Sequence, residues 1–166
     1  MANTDSARGF VYTRRLSDEA PPMLDYEMAE NSTLSQGDPV TIENGYIRLA
    51  ASGEPVLGVV VGGYAPDWDG SITSGPGENP AIKLIIALED VLFRVHDANA
   101  APTIAQRGAS VDIVGTTGAI GVDSTVTTNG DVMLWDRAWS DSISGNEFGP
   151  DMQWEASFQI RYMDKQ

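Results

Sequence analysis

Residues 39–50 read PVTIENGYIRLA, and this short stretch decides the fold because it contains a complete β-hairpin. Asn44-Gly45 is the strongest short hairpin signal, since both central residues of a type I′ turn need a positive φ. A two-residue loop predicts the cross-strand pairs Glu43 with Tyr46, Ile42 with Ile47, Thr41 with Arg48, and Val40 with Leu49. Side chains alternate along a strand, so the pairs formed by Ile, Val and Leu share one face and the Thr–Arg pair lies on a solvated face.

Apolar residues elsewhere in the chain also alternate, or form short runs between glycine and proline. VLGVVVGG at 56–63 is typical of a strand buried on both faces. Between residues 81 and 96 apolar side chains alternate on both sides of Glu89-Asp90, which favours two strands over a helix. Residues 152–162 alternate without a break, and we expect this strand to be paired inside a sheet. The predicted fold class is all-β, a β-barrel or sandwich-like single domain with an extended N-terminal arm and long loops.

The N-terminal part of the chain shows no clean period. We interpret residues 1–35 as an extended arm and residues 36–166 as the β domain. Tandem prolines, Pro21-Pro22, favour an extended backbone and exclude a helix through this position. Such an arm can become ordered against a partner. The alternative is an edge strand packed on its own domain, and the sequence leaves both interpretations open.

The composition excludes several classes of function. The 166 residues include 24 Asp and Glu against 10 Lys and Arg, a formal net charge of −14, so we expect neither nucleic acid nor an anionic membrane as partner. Cysteine is absent, which excludes disulfides and Cys-based metal sites. The first ten residues lack the apolar run of a secretory signal, and the apolar stretch at 56–61 is too short to span a membrane. We expect a soluble protein made in the cytoplasm.

No catalytic signature stands out in the sequence. His96 is the single histidine, so a Ser-His-Asp triad would have to use it, and the nucleophile pattern G-x-S-x-G does not occur. Among 24 acidic residues no pair can be singled out for acid–base work. We therefore expect a protein that is not an enzyme, with no catalytic residues and no cofactor.

The acidic loop that follows the valine-rich strand has part of the spacing of a calcium site. The residues at the first, third, fifth and twelfth places of an EF-hand-like count are Asp67, Asp69, Ser71 and Glu78. The glycine, however, falls at the fourth place rather than the sixth, and Pro76 lies inside the loop. We expect no metal site and interpret the loop as a solvated acidic turn.

Three tryptophans lie in or near predicted loops. Trp68 belongs to the long acidic loop, while Trp135 and Trp139 lie near the polar loop at 138–150. Their ring faces could form a platform for sugars or anchor a protein interface, and we favour the interface.

Residues 33–62, TLSQGDPVTIENGYIRLAASGEPVLGVVVG, resemble a pattern found in capsid decoration (cement) proteins of tailed bacteriophages. The pattern consists of a G-D-x-V strand, here GDPV at 37–40, then a hairpin and a glycine-flanked apolar strand. LEDVLFRV at 88–95 and DIVGTTGAIGVDSTV at 112–126 resemble later strands of such proteins. The likeness extends from Leu34 to Val126 and rests on strand patterning and glycine placement.

The resemblance implies a non-enzymatic virion protein on the outer capsid surface, made in the host cytoplasm. Its partner would be the major capsid protein, and a homotrimer that bridges neighbouring capsid subunits would stabilise the head. The arm residues that would provide these contacts are Phe10, Tyr12, Arg14, Arg15, Leu16, Met23, Leu24, Tyr26 and Met28. A glycan-binding β module displayed on a virion or cell surface is the alternative, and a β-barrel hydrolase that uses carboxylates ranks third.

Overall fold

Two antiparallel sheets make up most of the protein in the computed structural model, which describes residues 9–63, 68–99, 101–138, 146, 148 and 152–161. The strands are β1 (Val11–Arg15), β2 (Met23–Glu27), β3 (Thr33–Ser35), β4 (Pro39–Glu43), β5 (Tyr46–Leu49), β6 (Gly58–Gly63), β7 (Ser71–Thr73), β8 (Ala81–Ile86), β9 (Val91–His96), β10 (Ser110–Val114), β11 (Gly121–Asp123), β12 (Val132–Arg137) and β13 (Gln153–Phe158). A single 3₁₀ turn, Ile104–Gln106, is the helical element among these residues.

The strands are arranged as a sandwich. One sheet has the order β1-β9-β13-β12-β10-β11, the other has the order β2-β8-β6-β4-β5, and β3 pairs separately with β7. The predicted all-β class is confirmed in its sandwich form, because both sheets are open and neither closes into a barrel. No helix in the described part of the chain is long and apolar enough to cross a membrane.

The five-stranded sheet is buried on both faces, because a separate apolar cluster covers each of them. The first cluster lies between the two sheets and includes Val59, Phe93 and Trp154. The second lies on the far face of the five-stranded sheet and includes Val60 and Leu84. Successive valines of β6 therefore point into different clusters, which confirms the prediction of a strand buried on both sides.

The hairpin at 39–50 has the predicted register. All four predicted pairs form between β4 and β5, and the turn residues Asn44 and Gly45 have φ values of 52° and 88°. The predicted solvated face is wrong, because Thr41 is 3% exposed. This face of the five-stranded sheet is also covered, so Thr41 is buried while the long side chain of Arg48 reaches outward to Glu43 and Glu54.

Replacing Gly45 by alanine is expected to lower the free energy of unfolding by about 1–2 kcal/mol, because a Cβ is strained at its positive φ of 88°. Chemical denaturation measures this loss. Gly62→Ala is the matched control, because Gly62 lies in a strand with open space at its Cβ position. Equal losses in the two variants would contradict the turn geometry.

The strand predictions for the two alternating stretches are confirmed. Residues 81–96 form β8 and β9, and the chain bends between them at 87–90. β13 is paired on both sides, by β12 and β9, as expected of a strand inside a sheet. It is shorter than the predicted 152–162, because regular pairing ends at Phe158.

Residues 9–35 are built into the sheets as β1, β2 and β3. β1 pairs with β9 at one edge of the six-stranded sheet, and β2 pairs with β8 at one edge of the five-stranded sheet. This arrangement is the edge-strand alternative that the sequence left open, rather than an arm separate from the domain. Residues 1–8 of the predicted arm lie outside the described residues.

Candidate interaction surface

Two of the predicted partner-binding residues are core residues. Phe10 is 2% exposed, and its ring lies 4.7 Å from the ring of Phe158 between the two sheets. Met28 is completely buried in the second apolar cluster. Predicting contacts to a partner for these two side chains was wrong, because the protein itself surrounds them.

Four further predicted residues make contacts within the protein. Tyr12 packs edge-on against Phe93, and Tyr26 is half-buried against the second cluster. Arg14 binds Glu155 through two nitrogens, Nε at 3.0 Å and Nη2 at 2.9 Å. The side chain of Arg15 is 14% exposed and also bonded internally.

The remaining three predicted residues are exposed, and their contact with a partner stays a prediction. Leu16, Met23 and Leu24 are 49%, 49% and 51% exposed, and we call them the β2 patch. Met23 and Leu24 belong to β2, the edge strand of the five-stranded sheet, and Leu16 lies in the link between β1 and β2, bonded to the β8–β9 turn. Exposed apolar side chains on an open sheet edge mark a place where another chain can pack.

The start of the link between β1 and β2 is fixed by hydrogen bonds to Asp90 in the β8–β9 turn. Arg15 Nε and Ser17 Oγ donate to its carboxylate at 3.0 and 2.6 Å, and the Leu16 amide donates to its carbonyl at 2.8 Å. The hydrogen bond from Ser17, assisted by Arg15, holds the pKa of Asp90 below its usual value. Arg15 also binds Glu19 in the same link.

Asp90→Asn is expected to make the unfolding free energy less sensitive to acid. A lowered folded-state pKa contributes stability above the ordinary aspartate pKa of about 3.8, and this contribution is lost as pH falls through the folded-state value. The wild type should therefore be the more stable protein at neutral pH, and the two should converge in strong acid. Denaturant titrations between neutral and acid pH measure this. A difference in unfolding free energy between the two proteins that does not change with pH would contradict the ionic role of Asp90.

The tryptophans do not form a common platform among the described residues. Trp68 is half-buried and packs against the second cluster, close above Gly63. Trp135 is 41% exposed, and its Nε1 donates to Ser157 Oγ at 2.9 Å. Trp139 lies outside the described residues, as does most of the loop at 138–150.

The acidic loop has carboxylates beside an open cavity of about 700 Å³. Asp69 and Glu78 line it together with Ser71, whose hydroxyl donates to the carbonyl of Leu34. Glu78 accepts the amide of Gly75 at 2.8 Å. Asp67 is outside the described residues, and within those that are described no three His, Asp or Glu side chains gather as a metal site.

A second groove, of about 660 Å³, lies beside β1 and has a mixed polar and apolar lining. Tyr12, Asp69, Ser71 and Arg94 are among its lining residues. The lining therefore combines an aromatic ring with hydroxyl and charged groups. His96, the single histidine of the sequence, is not among the residues that line this groove and lies at the end of β9 opposite Gln153.

Sequence reasoning missed a set of buried aspartates that fix the loops. Asp38, Asp97, Asp112 and Asp131 are each at most 5% exposed, and all accept backbone amides. For Asp38, burial raises the pKa and outweighs the hydrogen bonds from Gly118 and Ser35. A signal was available for Asp38, which lies in a turn where its side chain can bond a nearby amide, but not for Asp112, which lies inside β10 and accepts amides 17 and 18 residues away.

Comparison of the sequence with models of known protein families gave no match, and neither did comparison with curated proteins. The candidate surface is therefore defined by the geometry and chemistry of the residues above.

Proposed function

We propose that this protein is a non-enzymatic capsid decoration protein, which binds the major capsid protein on the outside of a tailed-phage head. The observation that carries the proposal is the β2 patch, where Met23 and Leu24 are half exposed on the two faces of an edge strand and Leu16 is exposed in the link before it. The sequence resemblance over residues 34–126 supports the same function. In this function the protein forms trimers on the virion and bridges neighbouring capsid subunits.

A rigid scaffold suits this function, because docking then costs little ordering entropy. Buried aspartates connect segments that are distant in sequence. Asp97 accepts the indole N–H of Trp154 at 2.7 Å and the amide of Ser124 at 3.2 Å. Asp38 connects the turn before β4 to Gly118. Many copies on a capsid would add their individually weak contacts.

Mixing the purified chain with undecorated tailed-phage capsids tests the proposal. The wild type should sediment with capsids, and serine at Leu16, Met23 and Leu24 should weaken binding by about ten-fold or more, since apolar area is lost at the contact. Ile104→Ser is the matched control, because Ile104 is 60% exposed on the 3₁₀ turn. No sedimentation of the wild type, or equal binding by the triple variant and the control, would contradict the proposal.

The groove beside β1 favours glycan binding as the second candidate function. Tyr12 offers a ring, and Asp69 and Arg94 offer charged groups near it. A broad glycan panel probed with the wild type and Arg94→Ala separates this function from capsid binding. A signal in the wild type that is lost in the variant would support it, and silence across the panel would remove it.

A further inference from the structure

The apolar layers of the five-stranded sheet end abruptly at β2. Met23 pairs with Ile85, which is 6% exposed in the first cluster, and Leu24 pairs with Leu84, which is fully buried in the second. On β2 itself, Met23 and Leu24 are about half exposed. They lie on opposite faces of the sheet, so an added strand would cover both of them.

The backbone of β2 is also oriented for an added strand. The Pro22 carbonyl accepts from Ile86 at 2.9 Å and the Met28 amide donates to Pro80 at 3.0 Å, so even-numbered residues face β8. Backbone groups of the odd-numbered residues, Met23 and Asp25 among them, therefore point away from β8. The β2–β8 pairing continues without a bulge over the whole strand.

The other three edges of the two large sheets are protected within the described part of the chain. The amide of Ala29 donates to Ile47 on β5, and the amide of Ala98 donates to Val122 on β11. β1 has a bulge between Tyr12 and Arg14. Covering segments and bulges are common devices against unwanted pairing. The bridge between Met28 and Ile47 covers the C-terminal end of β2 as well, and the part of β2 from Met23 to Asp25 shows neither device among the described residues.

The charge around β2 selects the kind of strand that fits. Between Leu16 and Glu30 the sequence has five acidic residues and no Lys or Arg. Nearby Arg15 is bound to Asp90 and Glu19, and Lys83 lies opposite Asp25 on β8. A second copy paired antiparallel along the full strand would place Asp25 opposite Asp25, which is unfavourable in a chain of net charge −14.

We propose that the β2 edge binds an extended, basic segment of a partner protein, which adds a strand to the five-stranded sheet. Its apolar side chains cover Met23 and Leu24, and its Lys or Arg side chains lie near Glu27 and Glu19. We rest this assignment on the proposed function, in which the β2 patch contacts the capsid, and the segment would belong to the capsid subunit. Main-chain hydrogen bonds supply affinity and the alternating side chains supply specificity.

Titration with a synthetic peptide of alternating lysine and valine tests the recognition chemistry without capsids. At half-saturation the amide exchange of Met23 and Asp25, measured by NMR, should slow about two-fold, because only unbound molecules exchange there. A glutamate–valine peptide of the same length is the matched control and should leave both amides unchanged. No slowing with the lysine peptide, or equal slowing with both peptides, would overturn the assignment.

A charge reversal, Glu27→Lys, should weaken binding of the lysine–valine peptide about five-fold at low salt, and added salt should reduce the difference. Asp123→Lys is the control, because β11 is the edge opposite β1 in the other sheet. Equal losses in the two variants would count against a local charge match. Slowed exchange of Met23 at high protein concentration without peptide would show a second copy at β2 and overturn the assignment.

Capsids then separate the two proposals. If the peptide protects the β2 amides while the wild type does not bind capsids, the basic-strand assignment is supported and the capsid function is contradicted. If the wild type binds capsids while β2 amides stay unprotected and Glu27→Lys binds normally, the capsid function stands and the basic-strand assignment fails.

Discussion

Phe93→Ala is expected to lower the free energy of unfolding by about 3–5 kcal/mol, because the phenyl ring is removed from a site that cannot fully collapse. Phe93 is completely buried, and its ring lies 6.3 Å from that of Phe10, 6.5 Å from that of Tyr12 and 5.4 Å from that of Phe158. These rings join β1 to the strands beside it. Equilibrium denaturation with urea, monitored by tryptophan fluorescence, measures the loss.

Val11→Ala is the matched control for this substitution. Val11 also belongs to the six-stranded sheet, but it is 38% exposed. Val11→Ala should therefore lower the free energy of unfolding by less than about 1 kcal/mol. A loss for Phe93→Ala no larger than that of the control would mean that the aromatic cluster is not a packed core. β1 would then lack the contacts that keep it on the sandwich.

Local structure could be predicted from the sequence wherever one strand carried its own signal. The Asn44-Gly45 turn sets the register of β4 and β5, because the turn type allows only one pairing of the flanking residues. The alternation in β8, β9 and β13 predicted which side chains share a face. Period two is a property of the strand backbone itself, so these predictions needed no knowledge of neighbouring strands.

The sequence could not decide where the N-terminal strands pair. β1 and β2 pair with β9 and β8, which lie far along the chain, and no local pattern encodes such a partner. The same limit explains the burial of Thr41. Its strand alternates correctly, but whether the second face is solvated depends on a layer supplied by the other sheet.

The predicted partner-binding residues include both exposed and buried side chains. Leu16, Met23 and Leu24 were among the residues expected to contact a partner, and all three are exposed, two of them on β2 and one in the link before it. Phe10 and Met28 have the same apolar chemistry but are buried, and composition alone cannot distinguish an interface residue from a core residue. The contact of the β2 patch with a capsid stays a prediction.

Asp131→Ala is expected to lower the free energy of unfolding by about 3–5 kcal/mol, since buried donors would lose a charged acceptor. Asp131 is 1% exposed. Its carboxylate accepts the hydroxyl of Ser52 at 2.6 Å and the amides of Gly53 at 2.7 Å and Ile113 at 2.9 Å. It therefore joins the turn after β5 to β10 of the opposite sheet. Thermal and urea denaturation measure the loss.

Asp123→Ala is the control for Asp131, because Asp123 also accepts a turn amide, that of Thr125 at 2.9 Å, but does so where water can replace it. Asp123→Ala should lower the free energy of unfolding by less than about 1 kcal/mol. The free energy of unfolding of Asp131→Asn should lie between those of the two alanine variants. The amide group keeps one acceptor oxygen but presents N–H groups to the remaining donors. A loss for Asp131→Ala as small as that of Asp123→Ala would mean that water reaches the buried donors, and that the two sheets are held together by apolar packing without this carboxylate.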